Sequence, residues 1–346
     1  MMVGVLPANE FLFPIAEYWP FLLGFIAFVL VLLTLDLTVF HRKAHVVSMK
    51  EAGLWVIFWV SLAVIFNIGL YYYANWSFPQ NERLMAIPGF NPSAAAKQVS
   101  LEFLAGYIIE ESLSVDNIFV FVVVMSFFSI PPAYQHRVLF FGILGAIVFR
   151  GIFISLGSLL IQFHWVIYIF GAFLIYTGIR MAFSDDDPPE PDKNPLIRIF
   201  RRYMPVTNDF HGQHFFVRLA GKLHATPLFI AVLFLEATDI VFAVDSVPAI
   251  FAVTHEPLIV FTSNIFAILG LRAMYFLLAG AMDTFYLLKY ALSVILVFVG
   301  LKMTAFDYLA GGKFPITWSL GIIAAVLATA VIGSLMFPRK ESGNEA

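Results

Sequence analysis

Two short stretches of the chain carry acidic side chains with the same spacing inside otherwise apolar sequence. Residues 110–117 read Glu-Glu-Ser-Leu-Ser-Val-Asp-Asn, and residues 239–246 read Asp-Ile-Val-Phe-Ala-Val-Asp-Ser. In each stretch an acid is followed six positions later by an aspartate and then by a small polar residue. One ionised aspartate at the centre of a membrane helix costs at least about 2.5–3.5 kcal/mol. A chain that carries this pattern twice is therefore expected to use it, and cation transport is the chemistry that fits.

The candidate ligands of such a site donate only oxygen. They are Glu110, Glu111, Asp116, Asn117, Glu236, Asp239, Asp245 and Ser246. The chain contains no cysteine, and its eight histidines fall in loops or at the ends of predicted helices. An oxygen-only shell suits a hard cation such as Mn²⁺, Mg²⁺ or Ca²⁺ and argues against copper and most zinc sites. The residues leave the choice among these ions open.

The two acids of each stretch do not share one face of a regular α-helix, because six residues turn about 240° around the helix axis. Either the helix is interrupted between them, or they face different cavities. Pro248 favours an interruption in the second stretch, since it cannot donate a hydrogen bond to the carbonyl oxygen of Val244. That freed backbone oxygen would become a further candidate ligand.

Other polar residues at membrane depth have simpler explanations. Arg150 and Arg272 are placed to neutralise two acids in buried pairs, which would leave a static network without a transported ion, or to occupy an empty site. Glu111 points about 100° away from its neighbour and is expected at an interface or beside an arginine. Asp36 and Asn67 fit helix-packing contacts better than ligand positions.

The composition requires a membrane to surround these residues. The 346 residues are 61% hydrophobic and 12% charged, and the mean hydropathy is +0.88, which is far outside the range of soluble domains. Long uncharged runs predict an all-α polytopic membrane protein of about nine transmembrane helices. The predicted helices span about residues 18–40, 53–74, 101–128, 138–161, 164–183, 227–254, 258–280, 284–305 and 316–337.

Helices three to five repeat as helices six to eight. Phe-Arg-Gly around Arg150 parallels Leu-Arg-Ala around Arg272, and the spacing from Tyr168 to Gly178 recurs from Tyr290 to Gly300. A unit of three spans ends on the side opposite its start, so the second unit must be inverted, as in many secondary transporters. The predicted parts are 1–100 (two helices and an external loop), 101–183 (first repeat), 184–226 (cytoplasmic loop), 227–305 (second repeat) and 306–346 (last helix and tail).

The distribution of lysine and arginine sets the expected orientation. Thirteen of these residues fall on one side of the predicted spans and four on the other, which places the first side in the cytoplasm. The amino terminus is then outside and the carboxyl terminus inside. Within the 184–226 loop, an amphipathic surface helix is expected, with its apolar face formed by Leu196, Ile199, Phe200 and Tyr203. A metal sensor formed by the acidic run 185–187 with His211 and His214 is the alternative.

An enzymatic function fits the residues poorly. Two membrane aspartates can form a protease dyad, but such enzymes present Tyr-Asp and Gly-x-Gly-Asp, whereas valine precedes both Asp116 and Asp245 here. A dyad would also leave Glu110, Glu236 and Asp239 without a role. No phosphate-binding loop is present in the sequence, which argues against ATP-driven transport by this chain alone. We therefore expect no enzymatic activity.

The two acidic stretches resemble the signature segments of the TerC family, in particular its Alx-like branch. The resemblance also covers Leu-Asp-Leu at 35–37, Tyr-Gln-His-Arg-Val-Leu-Phe at 134–140 and Phe-Thr-Ser-Asn-Ile-Phe-Ala-Ile-Leu-Gly-Leu-Arg at 261–272, and it spans about residues 34–305. The family is associated with metal-ion homeostasis, tellurite-resistance operons and chiefly manganese export across the bacterial cytoplasmic membrane. The resemblance implies that the acids carry the metal, namely Glu110, Asp116, Glu236, Asp239 and Asp245.

These observations together predict a bacterial inner-membrane exporter of Mn²⁺, or of a similar divalent ion, that works by alternating access between the two repeats. The predicted ion ligands are Glu110, Asp116, Asn117, Glu236, Asp239, Asp245 and Ser246. A carboxylate that binds metal and proton in turn would couple export to the proton gradient. The expected partners are the transported ion and the lipid bilayer, with no nucleic acid and no tightly bound cofactor. The main alternative is a non-transporting scaffold or accessory protein in tellurite or envelope stress, with the acids as structural pairs.

Overall fold

The computed structural model describes residues 11–35, 47–160, 164–183, 202, 204–219, 221–279, 287–306 and 315–337. Helices form almost all of its regular structure, which confirms the predicted all-α membrane class. The helices are α1 (Ile15–Leu35), α2 (Met49–Ser77), α3 (Glu82–Met85), α4 (Pro92–Phe127), α5 (Pro132–Leu160), α6 (His164–Phe183), α7 (Pro227–Phe251), α8 (Pro257–Leu278), α9 (Leu288–Leu301) and α10 (Ile316–Met336). A 3₁₀ turn (Phe78–Gln80) follows α2, and a π-helical turn (Lys302–Phe306) follows α9.

Nine of these helices have 14 residues or more in the described part of the chain, and each overlaps one of the nine predicted runs. Six described helices are long and apolar enough to cross a membrane, namely α1, α2, α5, α7, α8 and α10. The chain is therefore a multi-pass membrane protein. The number of crossings stays a prediction.

Several helices begin earlier than the apolar runs indicate, most clearly α4, α5 and α2. Helix α4 starts at Pro92, nine residues before the predicted position, because Asn91 caps it by accepting a hydrogen bond from the amide of Ala94 at 3.0 Å. Helix α2 starts at Met49 behind a similar cap from Ser48. Capped polar turns extend a helix beyond its apolar part, so hydropathy alone places these starts too late.

Helix α8 forms the centre of the protein. All but one of the residues from 257 to 273 are buried, and α2, α4 and α5 pack directly against this helix. In contrast, α1, α2 and α10 are less than a quarter buried in their most apolar windows. Their exposed side chains are mainly apolar, as expected for helices that face lipid.

The packing of α4–α6 against α7–α9 has a two-fold pattern. Helix α4 packs on α8 while α5 packs on α7, and the pairs α4 with α7, α5 with α8 and α6 with α9 also touch. Exchanging α4, α5 and α6 for α7, α8 and α9 maps this set of contacts onto itself. A duplication of the kind indicated by the sequence would produce this pattern, but both the repeat and the inversion of its second unit stay predictions.

Two glycines bring the backbones of α6 and α9 into close contact. A Cβ added at Gly178 would lie 2.8 Å from the backbone oxygen of Ser293, and one added at Gly300 would lie 2.6 Å from the backbone oxygen of Gly171. Gly300 follows Gly178, and Ser293 follows Gly171, by the same 122 positions. Each contact therefore repeats the other at equivalent positions of the two units.

A two-stranded hairpin precedes α7 and is not predicted by the sequence. Strands β1 (Phe216–Leu219) and β2 (Lys222–Ala225) pair antiparallel. Gly221 lies in the turn with a φ of +79°, a conformation that favours glycine. The strands are only four residues long, which is too short to produce a clear hydropathy alternation.

Contacts with α5 position this hairpin. Phe215, just before β1, packs against Phe141 with ring centroids 4.9 Å apart. The guanidinium of Arg137 lies 5.3 Å from the centroid of the Phe215 ring, within the range of a cation–π contact. An aromatic and cationic contact with the first turns of α5 therefore anchors the loop to the bundle.

The other predictions for the 184–226 loop lie largely outside the described residues. The predicted apolar face falls there, namely Leu196, Ile199, Phe200 and Tyr203. The same holds for the acidic run 185–187, whereas His211 and His214 are described. Among the described residues, no group of three or more histidine, aspartate or glutamate side chains could hold a metal ion.

Candidate functional site

The guanidinium of Arg150 joins acids from both repeated stretches. Arg150 projects from α5 and is completely buried. Its Nη1 donates to Oε1 of Glu110 on α4. On α7, Oδ1 of Asp239 accepts from Nη2 at 3.1 Å and Oδ2 accepts from Nε at 3.4 Å. The first acid of each stretch thus reaches the same point, where buried ion pairs form as the sequence allowed.

Two neutral side chains complete this group. Asn264 on α8 accepts from Arg150 Nη1 at 3.2 Å through its Oδ1, and its Nδ2 donates to Oε2 of Glu110 at 3.0 Å. Ser246 Oγ lies 3.4 Å from Arg150 Nη1. The resulting Arg150 cluster consists of Glu110, Arg150, Asp239, Ser246 and Asn264, and it joins α4, α5, α7 and α8.

The Arg150 cluster carries an unbalanced charge. Two carboxylates face one guanidinium, so these five side chains sum to −1 when the acids are ionised. The acids are almost entirely removed from solvent, with Glu110 0% and Asp239 3% exposed. Buried charges of this kind need complete hydrogen bonding to be tolerated.

The helices that carry the acids are continuous, which contradicts the predicted interruption at Pro248. Helix α7 runs unbroken from Pro227 to Phe251 with Pro248 inside it. Because this proline lies in the last turn, its missing N–H group removes only the hydrogen bond to the carbonyl oxygen of Val244. The preceding turns of the helix are intact. Along these continuous helices, positions six residues apart lie about 240° apart around the helix axis.

For the second acid of each stretch, the structure describes the backbone but not the side chain. Asp116 lies within α4 and Asp245 within α7, and their side chains lie outside the described set. Asp36 also lies outside the described residues, while Asn67 lies in α2. The proposed ligand roles of Asp116 and Asp245 stay predictions.

Glu236 lies beside the Arg150 cluster, one helical turn before Asp239 on α7. Their carboxylates are close enough to interact electrostatically. The Glu236 carboxylate covers Gly145 of α5, since a Cβ added there would lie 2.0 Å from Oε1. Its Oε2 is buried and has no hydrogen-bond partner in the described part of the chain. This oxygen has capacity for a further ligand.

Two other predicted candidates lie on α4. Asn117 is 2% exposed and so belongs to the interior. Glu111 points toward α8, where a Cβ added at Gly270 would lie 3.6 Å from Glu111 Oε1. Of the seven predicted ligands, the structure brings Glu110, Asp239 and Ser246 together around Arg150, with Glu236 adjacent. The complete seven-residue shell stays a prediction.

Sequence analysis missed Asn264 as a member of the site. It is a buried amide in the middle of an apolar helix, which is the signal that could have indicated it. Arg272, the counterpart of Arg150 in the second repeat, instead lines a small cavity with Trp55 and His136.

Replacing Gly145 by alanine tests whether Glu236 contributes to function. The new methyl group must displace the carboxylate, because all three of its carboxylate atoms would lie within 2.2 Å of the new Cβ. A flexible carboxylate can move away, so we expect nearly normal stability but loss of any activity that needs Glu236. Thermal unfolding and metal binding of purified protein measure these two effects. Gly142→Ala is the control, since its nearest neighbour would lie 3.7 Å away, and equal metal binding by both variants would argue against a role for Glu236.

Known proteins resemble this chain over most of its length. The sequence profile of the family described as Integral membrane protein TerC family matches residues 95–342. A membrane protein of Myxococcus xanthus is 50% identical over 324 residues, covering 93% of this chain and 94% of that protein. The Escherichia coli (strain K12) protein Alx, named a membrane-bound redox modulator, is 47% identical over 311 residues, covering 89% and 92%. No solved structure matches the chain significantly. Because the profile matches well over half of its residues, the chain belongs to the TerC family of integral membrane proteins.

Proposed function

We propose that this protein exports divalent metal ions, foremost Mn²⁺, from the cytoplasm across the bacterial inner membrane. The observation that carries the proposal is the meeting of Glu110 and Asp239, one acid from each repeat, at a buried point between four helices. Transporters built from two repeats bind their substrates where the repeats meet. The side of the spans that is richer in lysine and arginine faces the cytoplasm in this proposal, so the amino terminus is outside and the carboxyl terminus is in the cytoplasm.

The chemistry of the site favours a hard divalent cation. Every described side chain that contacts the Arg150 guanidinium does so through oxygen, and the unpartnered Oε2 of Glu236 lies close by. Carboxylate, hydroxyl and amide oxygens are the donors that Mn²⁺ and Mg²⁺ accept. Alternating access would expose this site to each side in turn, and exchange of metal for protons at a carboxylate would supply the driving force. The protein is thus a transporter rather than an enzyme.

The name of the Alx relative points to a redox role for that protein. The 346 residues of this chain contain no cysteine, so its own side chains cannot perform thiol–disulfide exchange. A change in metal content can alter cellular redox balance indirectly, so metal export is compatible with the name of that relative.

A structural role of the acids is the second candidate function. The pairing of Arg150 with both Glu110 and Asp239 favours it, because the same contacts would hold together the helices of a non-transporting scaffold. Such a protein would act in tellurite or envelope stress through its partners. An exporter needs Asp116 and Asp245 as ion ligands, whereas a scaffold held together by the pairs of Arg150 does not need them.

Cellular manganese content distinguishes these functions. A manganese-sensitive bacterial strain would express the intact protein, Asp116→Asn or Asp245→Asn at matched membrane levels. We expect the intact protein to lower manganese and restore growth, and each variant to lose at least about 90% of this effect, since loss of a charged ligand weakens binding by more than about 1.4 kcal/mol. Asp209→Asn is the matched control, because Asp209 is exposed in the loop before β1. Equal manganese content with the intact protein and both site variants would support the scaffold instead.

A further inference from the structure

The guanidinium of Arg150 lies where a cation would be held. Its three nitrogens contact five oxygens, which belong to α4, α7 and α8. These oxygens are Glu110 Oε1, both carboxylate oxygens of Asp239, Ser246 Oγ and Asn264 Oδ1. These oxygens come from three helices and surround a side chain of a fourth helix, α5. The Arg150 cluster thus has the form of an oxygen cage that already contains a positive charge.

A metal ion and this guanidinium cannot occupy the cage together. The contacts of Arg150 with Asp239, Ser246 and Asn264 are 3.1–3.4 Å long, whereas hard divalent ions need their oxygens at about 2.0–2.6 Å. Both cations would compete for the same lone pairs. Together they would also bring three positive charges to a buried group of two carboxylates, which is strongly unfavourable without water. Binding of the ion therefore requires the guanidinium to leave.

We propose that Arg150 is a tethered competitor of the transported ion. Its guanidinium occupies the ion position in the empty transporter, and a divalent cation binds only by displacing it. This inference rests on the proposed function and specifies how that site is regulated. Because only the fraction of molecules with Arg150 withdrawn can bind the ion, the competitor weakens apparent affinity. An exporter gains from this property, since the ion is bound only when its concentration rises.

The same arrangement explains how the transporter can return to its starting conformation without a bound ion. Two buried carboxylates without a counterion would resist any rearrangement that keeps them out of water. With Arg150 in place, half of their charge is balanced without a bound metal. The chain thus supplies its own cation for the half of the cycle in which no ion is carried.

Metal binding by the purified full-length protein in detergent tests this proposal. Equilibrium dialysis with Mn²⁺ at constant ionic strength would compare the intact protein, Arg150→Ala and Glu110→Gln/Arg150→Ala. We expect Arg150→Ala to bind Mn²⁺ about tenfold or more tightly than the intact protein, as for a site otherwise free in about a tenth of the molecules. The double variant should lose this gain, because Glu110 Oε1 is one of the contested oxygens. Equal or weaker binding by Arg150→Ala would overturn the proposal.

Free guanidinium provides a readout that a purely structural role would not affect. In Arg150→Ala, added guanidinium ions can enter the vacated space and should weaken Mn²⁺ binding several-fold, whereas tetramethylammonium at the same concentration should not. The intact protein should respond equally to both salts. Equal effects of the two salts on Arg150→Ala would show that the cage does not hold a guanidinium and would overturn the proposal.

A second variant keeps the test valid if Arg150→Ala does not fold. Arg150→Lys retains the charge but presents a compact ammonium in place of the forked guanidinium, so it should compete less well and bind Mn²⁺ more tightly than the intact protein. Unchanged or weaker binding by this variant overturns the competitor role. If the intact protein fails to lower cellular manganese, the proposed function is wrong. If the intact protein exports manganese but the Arg150 variants bind Mn²⁺ no more tightly than it does, only this inference is wrong.

Discussion

Replacing Gly300 by alanine is expected to lower the free energy of unfolding by about 3 kcal/mol, the upper part of the usual range for overpacking. The added Cβ would lie 2.6 Å from the backbone oxygen of Gly171 and 2.8 Å from Cγ1 of Ile175. A side chain can rotate away from such a clash, but a backbone oxygen in the middle of α6 cannot. The two helices would have to separate along the length of their contact.

Gly178→Ala should have a similar effect from the other side of the contact. Its Cβ would lie 2.8 Å from the backbone oxygen of Ser293, whose hydroxyl also donates to the Gly178 oxygen at 2.6 Å. Denaturant or thermal unfolding in one detergent measures both variants. Gly24→Ala and Gly69→Ala are the matched controls, because nothing lies within 4 Å of a Cβ at either position. Alanine should leave these helices unchanged or stabilise them by up to about 1 kcal/mol, and an equal loss in all four variants would refute the close contact.

This contact also indicates which helices move together. Small residues allow two membrane helices to approach until their backbones touch, and such interfaces are strongly packed. Sliding of α6 along α9 would drive each glycine out of the position that fits it. We therefore expect any alternation between inward and outward states to keep α6 and α9 as one unit and to move other helix pairs.

Much of the fold follows from the sequence because the bilayer sets the length of an apolar run. Helix α7 begins at the predicted residue, and α8 begins within one residue of the prediction. The hairpin before α7 could not be predicted in this way. It depends on a tertiary contact of Phe215 with Phe141 and Arg137, which lie more than 70 residues earlier.

The candidate site was only partly predictable, for a related reason. The repeated spacing of acids identified Glu110 and Asp239, and the sequence suggested Arg150 as a partner for acids in the membrane. Asn264 has no polar counterpart in the first repeat, where the equivalent position is occupied by Gly142. A search for repeated polar residues therefore cannot find it. Its role depends on α8 packing between α4 and α5.

Replacing Arg150 by methionine in metal-free buffer is expected to lower the free energy of unfolding by about 3–5 kcal/mol, as for removal of one partner from a buried ion pair. Methionine fills much of the same space, so the loss reflects charge rather than a cavity. Glu110 and Asp239 would remain buried without their guanidinium donors. The triple variant Glu110→Gln/Asp239→Asn/Arg150→Met should recover most of this loss, because no uncompensated charge remains.

The same two variants separate structural pairing from ion binding. Mn²⁺ should stabilise Arg150→Met by about 2.7 kcal/mol at a concentration one hundred times its dissociation constant, since the ion replaces the missing positive charge between Glu110 and Asp239. The triple variant lacks both carboxylates and should gain far less at the same concentration. A scaffold whose acids serve only to pair with Arg150 would show the loss on removing the arginine but no difference between the variants when Mn²⁺ is added. If Mn²⁺ restores the stability of Arg150→Met but not that of the triple variant, the carboxylates of Glu110 and Asp239 bind a metal ion once Arg150 is removed.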